Sequence, residues 1–124
     1  EFRVVNVGNP HVVIRVPDVN TVDISAIGAA VGRHPAFPEG VNVGFLAIES
    51  PLRLQLRVYE RGAGETQACG SGACAAAVIS HSQGWCGSPV TVSQPGGDLV
   101  VSWAGVGQEV WLAGPAEHVY NGEW

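Results

Sequence analysis

Cys69-Gly70-Ser71-Gly72 runs directly into Ala73-Cys74-Ala75-Ala76-Ala77-Val78-Ile79, seven residues without a charge. That order predicts a helix opening at Cys69–Gly72 and extending to about Gln83, with Gly84 as its C-cap. Cys69 then stands immediately before a helix N-terminus. Unpaired backbone N–H groups and the helix dipole there lower a thiol's pKa from its ordinary ~8.5, which makes a thiolate plausible at neutral pH. The glycines leave those N–H groups open to a carboxylate or phosphate. A single turn would thus offer both a proton-transfer group and an anion site. The competing reading is a small buried hydrophobe, which is what most free cysteines are, and position alone allows both. Cys74, inside the apolar helix, and Cys86, beyond its end, read as structural. A metal site built from Cys69, Cys74 and His81 is disfavoured, because the helix points the two thiols in different directions and no fourth ligand is evident.

Glu60 is the second residue of chemical interest. Leu52, Leu54, Leu56 and Val58 alternate with Arg53, Gln55, Arg57 and Tyr59, the period-two pattern of a half-buried strand. If that strand runs one residue further, Glu60 falls on its apolar face. An inward carboxylate must be paired or hydrogen-bonded. His11 and Asn9 lie two residues apart and share a strand face if the turn between them has straightened. Each also has a plain explanation: a satisfied strand histidine and a turn residue before Pro10. Asn42, at a strand start, and Arg61, in a loop, read the same way from position alone.

The elements that must carry these residues are short. Phe2–Val7 and His11–Val16 read as strands joined through Gly8-Asn9-Pro10. Asp23 to Val31 has the spacing of an amphipathic helix, with Asp23 or Ser25 as cap and Gly32 as its end. A Pro-rich loop leads to the strand Asn42–Glu49, then Leu52–Tyr59, then a flexible loop over residues 61–66. The apolar helix follows, buried all round in its first half. Val90–Gln94, Asp98–Trp103, Glu109–Ala113 and Ala116–Tyr120 complete a meander. The expected fold is α+β, a mostly antiparallel sheet wrapped around the apolar helix, in one domain over residues 1–124 and with no internal repeat.

Composition excludes several classes. An apolar fraction of 46% in 124 residues supports a real core. A net charge of −5 without any Lys/Arg cluster lacks the footprint of a nucleic-acid binder. No apolar run approaches the roughly 20 residues that span a bilayer, and the first residues lack the basic region and apolar core of a signal peptide. Three cysteines do not make a disulfide framework, which favours a reducing compartment. A soluble, cytoplasmic protein is expected. The absence of Met reads as a piece of a longer protein.

The run Tyr59-Glu60-Arg61-Gly62-Ala63-Gly64-Glu65-Thr66-Gln67-Ala68-Cys69-Gly70-Ser71-Gly72-Ala73-Cys74-Ala75 resembles the signature of the diaminopimelate epimerases. Gly8-Asn9-Pro10-His11, Val41-Asn42-Val43-Gly44-Phe45, Pro95-Gly96-Gly97 and His118-Val119-Tyr120-Asn121-Gly122 resemble the same family in the same order. The resemblance covers essentially the whole chain and implies its C-terminal half. It implies a cofactor-independent isomerase that interconverts LL- and meso-2,6-diaminopimelate for lysine and cell-wall synthesis, using two cysteines on opposite faces of the α-carbon. Cys69 matches one of them; the other belongs to an N-terminal domain that this sequence lacks. Gly70 and Ser71 match positions whose backbone N–H groups hold the reacting-end carboxylate. Asn9, Asn42 and Arg61 match positions that hold the distal end of the substrate. Glu60 matches a group that binds the ammonium and supports acid–base chemistry, and His11 one that assists the thiols. Tyr120 matches a tail residue associated with homodimers. Two alternatives stand beside this: a proline-racemase-like enzyme, whose substrate lacks a second charged end, and a non-catalytic anion-binding domain.

Overall fold

The computed structural model describes residues 2–6, 10–103, 105, 109–113 and 118–123, with side chains described for 10–103, 105 and 110. Along the chain run β1 (Phe2–Asn6), β2 (Pro10–Arg15), α1 (Ile24–Gly32), β3 (Asn42–Ser50), β4 (Arg53–Glu60), β5 (Gly64–Thr66), α2 (Gly70–Ser82), β6 (Val90–Gln94), β7 (Gly97–Trp103), β8 (Glu109–Ala113) and β9 (His118–Glu123). Among the described residues the strands form one nine-stranded sheet in the order β1-β2-β3-β4-β6-β7-β8-β9, with β5 paired to β4.

The sheet is mixed. β2 runs parallel to β3 and β4 parallel to β6, while the other pairs, the β6–β9 meander included, are antiparallel. Two segments differ from the sequence expectation. The stretch after Glu60 is not wholly loop: Gly62 and Gly64 take φ of +82° and +80°, the left-handed turn conformation open to glycine, and β5 then returns along β4. A bidentate ion pair locks that hairpin, Arg57 Nε and Nη2 meeting the Glu65 carboxylate at 2.6 and 2.8 Å. Leu52, assigned to the buried face of its strand, precedes β4 and is 69% exposed.

Side-chain alternation divides the interior between the two helices. Val12, Val43 and Phe45 point to one face of the sheet and pack with Ile24 of α1. Gly28 of α1 lies so close to β4 that a β-carbon there would come within 2.5 Å of Tyr59. Asp23 caps α1, its side chain accepting from Ala26 N, and the helix continues through Gly32 to a cap at Arg33. On the opposite face, Val13, Leu46, Leu54, Leu56 and Val58 pack with α2. Large side chains such as Leu46, Leu54 and Leu56 are at most 1% exposed, and burying each contributes about 1.5–3 kcal/mol. α2 is buried continuously from Gly72 to Ser80, and touches strands β1 to β4 and β6 to β8. Its small side chains allow those approaches: a β-carbon on Gly72 would meet Val58 Cγ2 at 2.9 Å. The helix ends at Gln83, after which Gly84 turns the chain with φ +76°. Among the described residues no helix is long and apolar enough to cross a membrane.

Candidate active site

Strand parity and register bring the polar residues together. His11 shares its side of β2 with Val13, Asn42 its side of β3 with Leu46, and Glu60 its side of β4 with Leu54, Leu56 and Val58, so all three fall on the face that receives α2. His11 pairs with Asn42 across the parallel β2–β3 ladder, while Val43 pairs with Tyr59, one residue from Glu60. The three therefore lie at the end of three adjacent strands, where α2 begins.

Cys69 is the N-cap of α2, with extended backbone angles and a sulfur that accepts from Gly72 N at 3.3 Å. The next two N–H groups, on Gly70 and Ser71, belong to the first turn and have no acceptor within the helix. The Ser71 hydroxyl lies 3.5 Å from Cys69 Sγ and 3.2 Å from His11 Nε2. Glu60, as its strand parity requires, is half-buried and held: Thr66 Oγ1, on the returning strand β5, donates to its Oε1 at 3.1 Å.

The lowering of the Cys69 pKa expected from the helix start does not prevail. Burial pushes the thiol above its ordinary range, and the neighbouring Glu60 carboxylate pushes the same way; hydrogen bonds from Ser71 and Gly72 oppose both without prevailing. The helix N-terminus stabilises the anion, but Cys69, a residue only 8% exposed, loses more from desolvation. His11, 1% exposed, is lowered to about 4 by burial, opposed by the Glu60 charge, so its ring is neutral at pH 7. The site at rest therefore holds a protonated thiol and a neutral imidazole.

Asn42 and Arg61 also meet. Asn42 Oδ1 accepts from Arg61 N at 2.8 Å, while the Arg61 guanidinium reaches the Glu39 carbonyl at 2.9 Å and the aliphatic stem of Arg61 lies against Gly40, whose φ is +83°. Asn9 lies outside the described residues. Tyr120 pairs with Leu112 between β9 and β8, and its side chain lies outside the described set. Among the described residues no three His, Cys, Asp or Glu side chains are grouped to hold a metal ion. His81 packs edge-on against Trp103, ring centroids 5.4 Å apart.

Gln94 is a residue of this site that sequence reasoning missed. Buried at 7% exposure, it brackets the peptide of Cys69, accepting from its N–H at 3.0 Å and donating to its carbonyl at 3.4 Å. The signal was present: Gln94 follows Val90 and Val92 on the inward parity of β6, as Glu60 does on β4. A cleft of about 510 Å³ opens beside Arg57, Glu65 and Ser93 but takes in neither Cys69 nor Glu60 nor His11.

A family model described as "Diaminopimelate epimerase" matches residues 3–119. A protein of that name from Pseudomonas fluorescens is 54% identical over 123 residues, covering 99% of this chain and 45% of the relative. Another from Alkalilimnicola ehrlichii is 53% identical over 119 residues, covering 96% and 43%. The chain thus spans somewhat under half the length of these curated relatives. Among solved structures, a phenazine biosynthesis protein of the PhzF family from Enterococcus faecalis is similar with a TM-score of 0.63 at 15% identity, over 84% of this chain and 36% of that one. A PhzF-family protein from Bacillus anthracis is similar with a TM-score of 0.61 at 17% identity, over 86% and 35%. These two likenesses concern the fold alone. The match of the family model over residues 3–119 carries the assignment: the chain belongs to the diaminopimelate epimerase family.

Proposed function

We propose that this chain is the C-terminal half of an enzyme that interconverts LL- and meso-2,6-diaminopimelate, a cytoplasmic, cofactor-independent isomerase of lysine and cell-wall synthesis, and that Cys69 is one of its two opposed proton-transfer groups. The observation that carries the reading is Cys69 at the cap of α2, between open backbone N–H groups and the Glu60 carboxylate. The substrate's reacting carboxylate would sit on the Gly70 and Ser71 N–H groups. Negative charge grows there as the α-proton leaves, so fixed donors stabilise the transition state more than the ground state. The apolar helix lies against a sheet that wraps around it, and α2 keeps those donors rigid.

Inversion needs one group to take the proton from one face and another to return a proton to the opposite face. The second thiol belongs to the N-terminal domain. Cys69, protonated at rest, is set to deliver a proton; in the reverse direction it must first lose one, and Glu60 is the carboxylate beside it that can accept. Asn9, Asn42 and Arg61 would hold the distal ammonium and carboxylate of the substrate, Arg61 turning from the Glu39 carbonyl to a bidentate carboxylate pair. Among the described residues β9 ends the sheet, which would place Tyr120 where a second copy can meet it in a homodimer.

The test joins this chain to its N-terminal half and follows exchange of the substrate α-proton with solvent deuterium. Exchange at both faces is expected, and Glu60→Gln should lower turnover by roughly 10²-fold or more, the usual scale for general acid–base groups. Full turnover in Glu60→Gln would remove that residue from the chemistry. No exchange in the joined protein would leave an anion-binding domain in place of an epimerase.

A further inference from the structure

A single hydroxyl separates the buried imidazole from the sulfur. Ser71 Oγ is within hydrogen-bond reach of both His11 Nε2 and Cys69 Sγ, at 3.2 and 3.5 Å. A serine hydroxyl has one proton and two lone pairs, so its neighbours decide where the proton points. The groups facing the Cys69 sulfur are Glu60 from β4, Cys74 along α2, and Gly72 N–H and Ser71 from the first helical turn; His11 of β2 acts through Ser71. Glu60 favours the thiol, while the Gly72 and Ser71 donors favour the thiolate. The Gly72 donor is fixed by the helix. The Ser71 donor is fixed only if something occupies its oxygen.

We propose that Ser71 acts through its side chain as a positioning residue: His11 Nε2–H donates to the Ser71 oxygen, which turns the Ser71 O–H toward Cys69 and gives the thiolate its second donor. This role is separate from that of the Ser71 backbone N–H, and it rests on the reading of Cys69 as a proton-transfer group. His11 is then an orienting group. Its burial keeps the ring neutral, with one N–H to give to the hydroxyl oxygen. The arrangement also gives a reason for a histidine that is 1% exposed near the start of β2.

The experiment measures iodoacetamide alkylation of Cys69 against pH in this 124-residue chain, resolved by site with peptide mass spectrometry, since the thiolate is the form that reacts. Ser71→Ala should move the midpoint upward by about one pH unit and slow alkylation roughly 10-fold at pH 7.5, the effect of losing one hydrogen bond to a charged group. Ser71→Gly deletes the hydroxyl a second way and should match it. Ser71→Thr, which restores a hydroxyl at the same place, should return the original profile. Profiles for Ser71→Ala and Ser71→Gly that superimpose on the original would overturn the proposal, as would a Thr variant that behaves like Ala. No substrate enters the measurement, so such a result removes this role of Ser71 and leaves the epimerase reading to its own test.

Discussion

Cys69 and Cys74 sit five residues apart on one helix, both buried, yet they occupy different chemical worlds. Cys74 is 0% exposed among Ala73, Ala75 and Ala76, and burial, with the nearby Cys69, pushes its thiol to about 12. Cys69 is raised too, but two donors at the helix start pull against burial, and a carboxylate stands ready to hold the proton. The lesson is that neither burial nor a helix N-terminus makes a thiol reactive by itself. What distinguishes Cys69 is a balance between desolvation and placed partners.

The largest effect expected away from the thiols concerns the imidazole beside Cys69. His11 is protonated near pH 6.5 in an unfolded chain but only near pH 4 in the folded one, so between those values the unfolded state binds more protons. Stability is therefore fully present above pH 6.5 and falls as pH drops toward 4, by on the order of 3 kcal/mol. Denaturant midpoints measured across that window should decline in the parent chain and decline much less in His11→Gln. Equal slopes would mean that the ring is not held neutral.

Gly72 marks the border between the two cysteines. A β-carbon there would meet Val58 Cγ2 at 2.9 Å and Cys69 Sγ at 3.2 Å, so Gly72→Ala must shift either the strand or the sulfur. A loss of about 1–3 kcal/mol in urea unfolding is expected, as for other overpacked sites. Alkylation of Cys69 should change with it. The smallest effect belongs to Cys74→Ala, a one-atom deletion within a small-residue helix. It should cost about 1 kcal/mol and leave the pH profile of Cys69 alkylation in place. A shifted profile would show that the two thiols titrate together.

Much of this site was legible because strand and helix periods carry local information. The inward direction of Glu60 follows from the Leu54-Leu56-Val58 alternation, and the capping place of Cys69 from glycines before an apolar run. The parallel pairing of β2 with β3, which seats His11 beside Asn42, was not legible, since ladder partners far apart in sequence are chosen by the whole sheet. The return of β5 was hidden by glycines that read equally well as loop. The direction of the Cys69 shift was misjudged for a related reason: the helix start is visible in the sequence, while the depth at which it is buried is set by β2, β4 and β6.

The central claim is that Cys69, and not its neighbour on the same helix, transfers the proton. Its most direct test is deuterium incorporation at the substrate α-carbon by the joined two-domain protein carrying Cys69→Ala or Cys74→Ala. Cys69→Ala should lose epimerisation by at least about 10²-fold while Cys74→Ala stays within a few-fold of the parent. Retained epimerisation in Cys69→Ala, or loss confined to Cys74→Ala, would contradict the account.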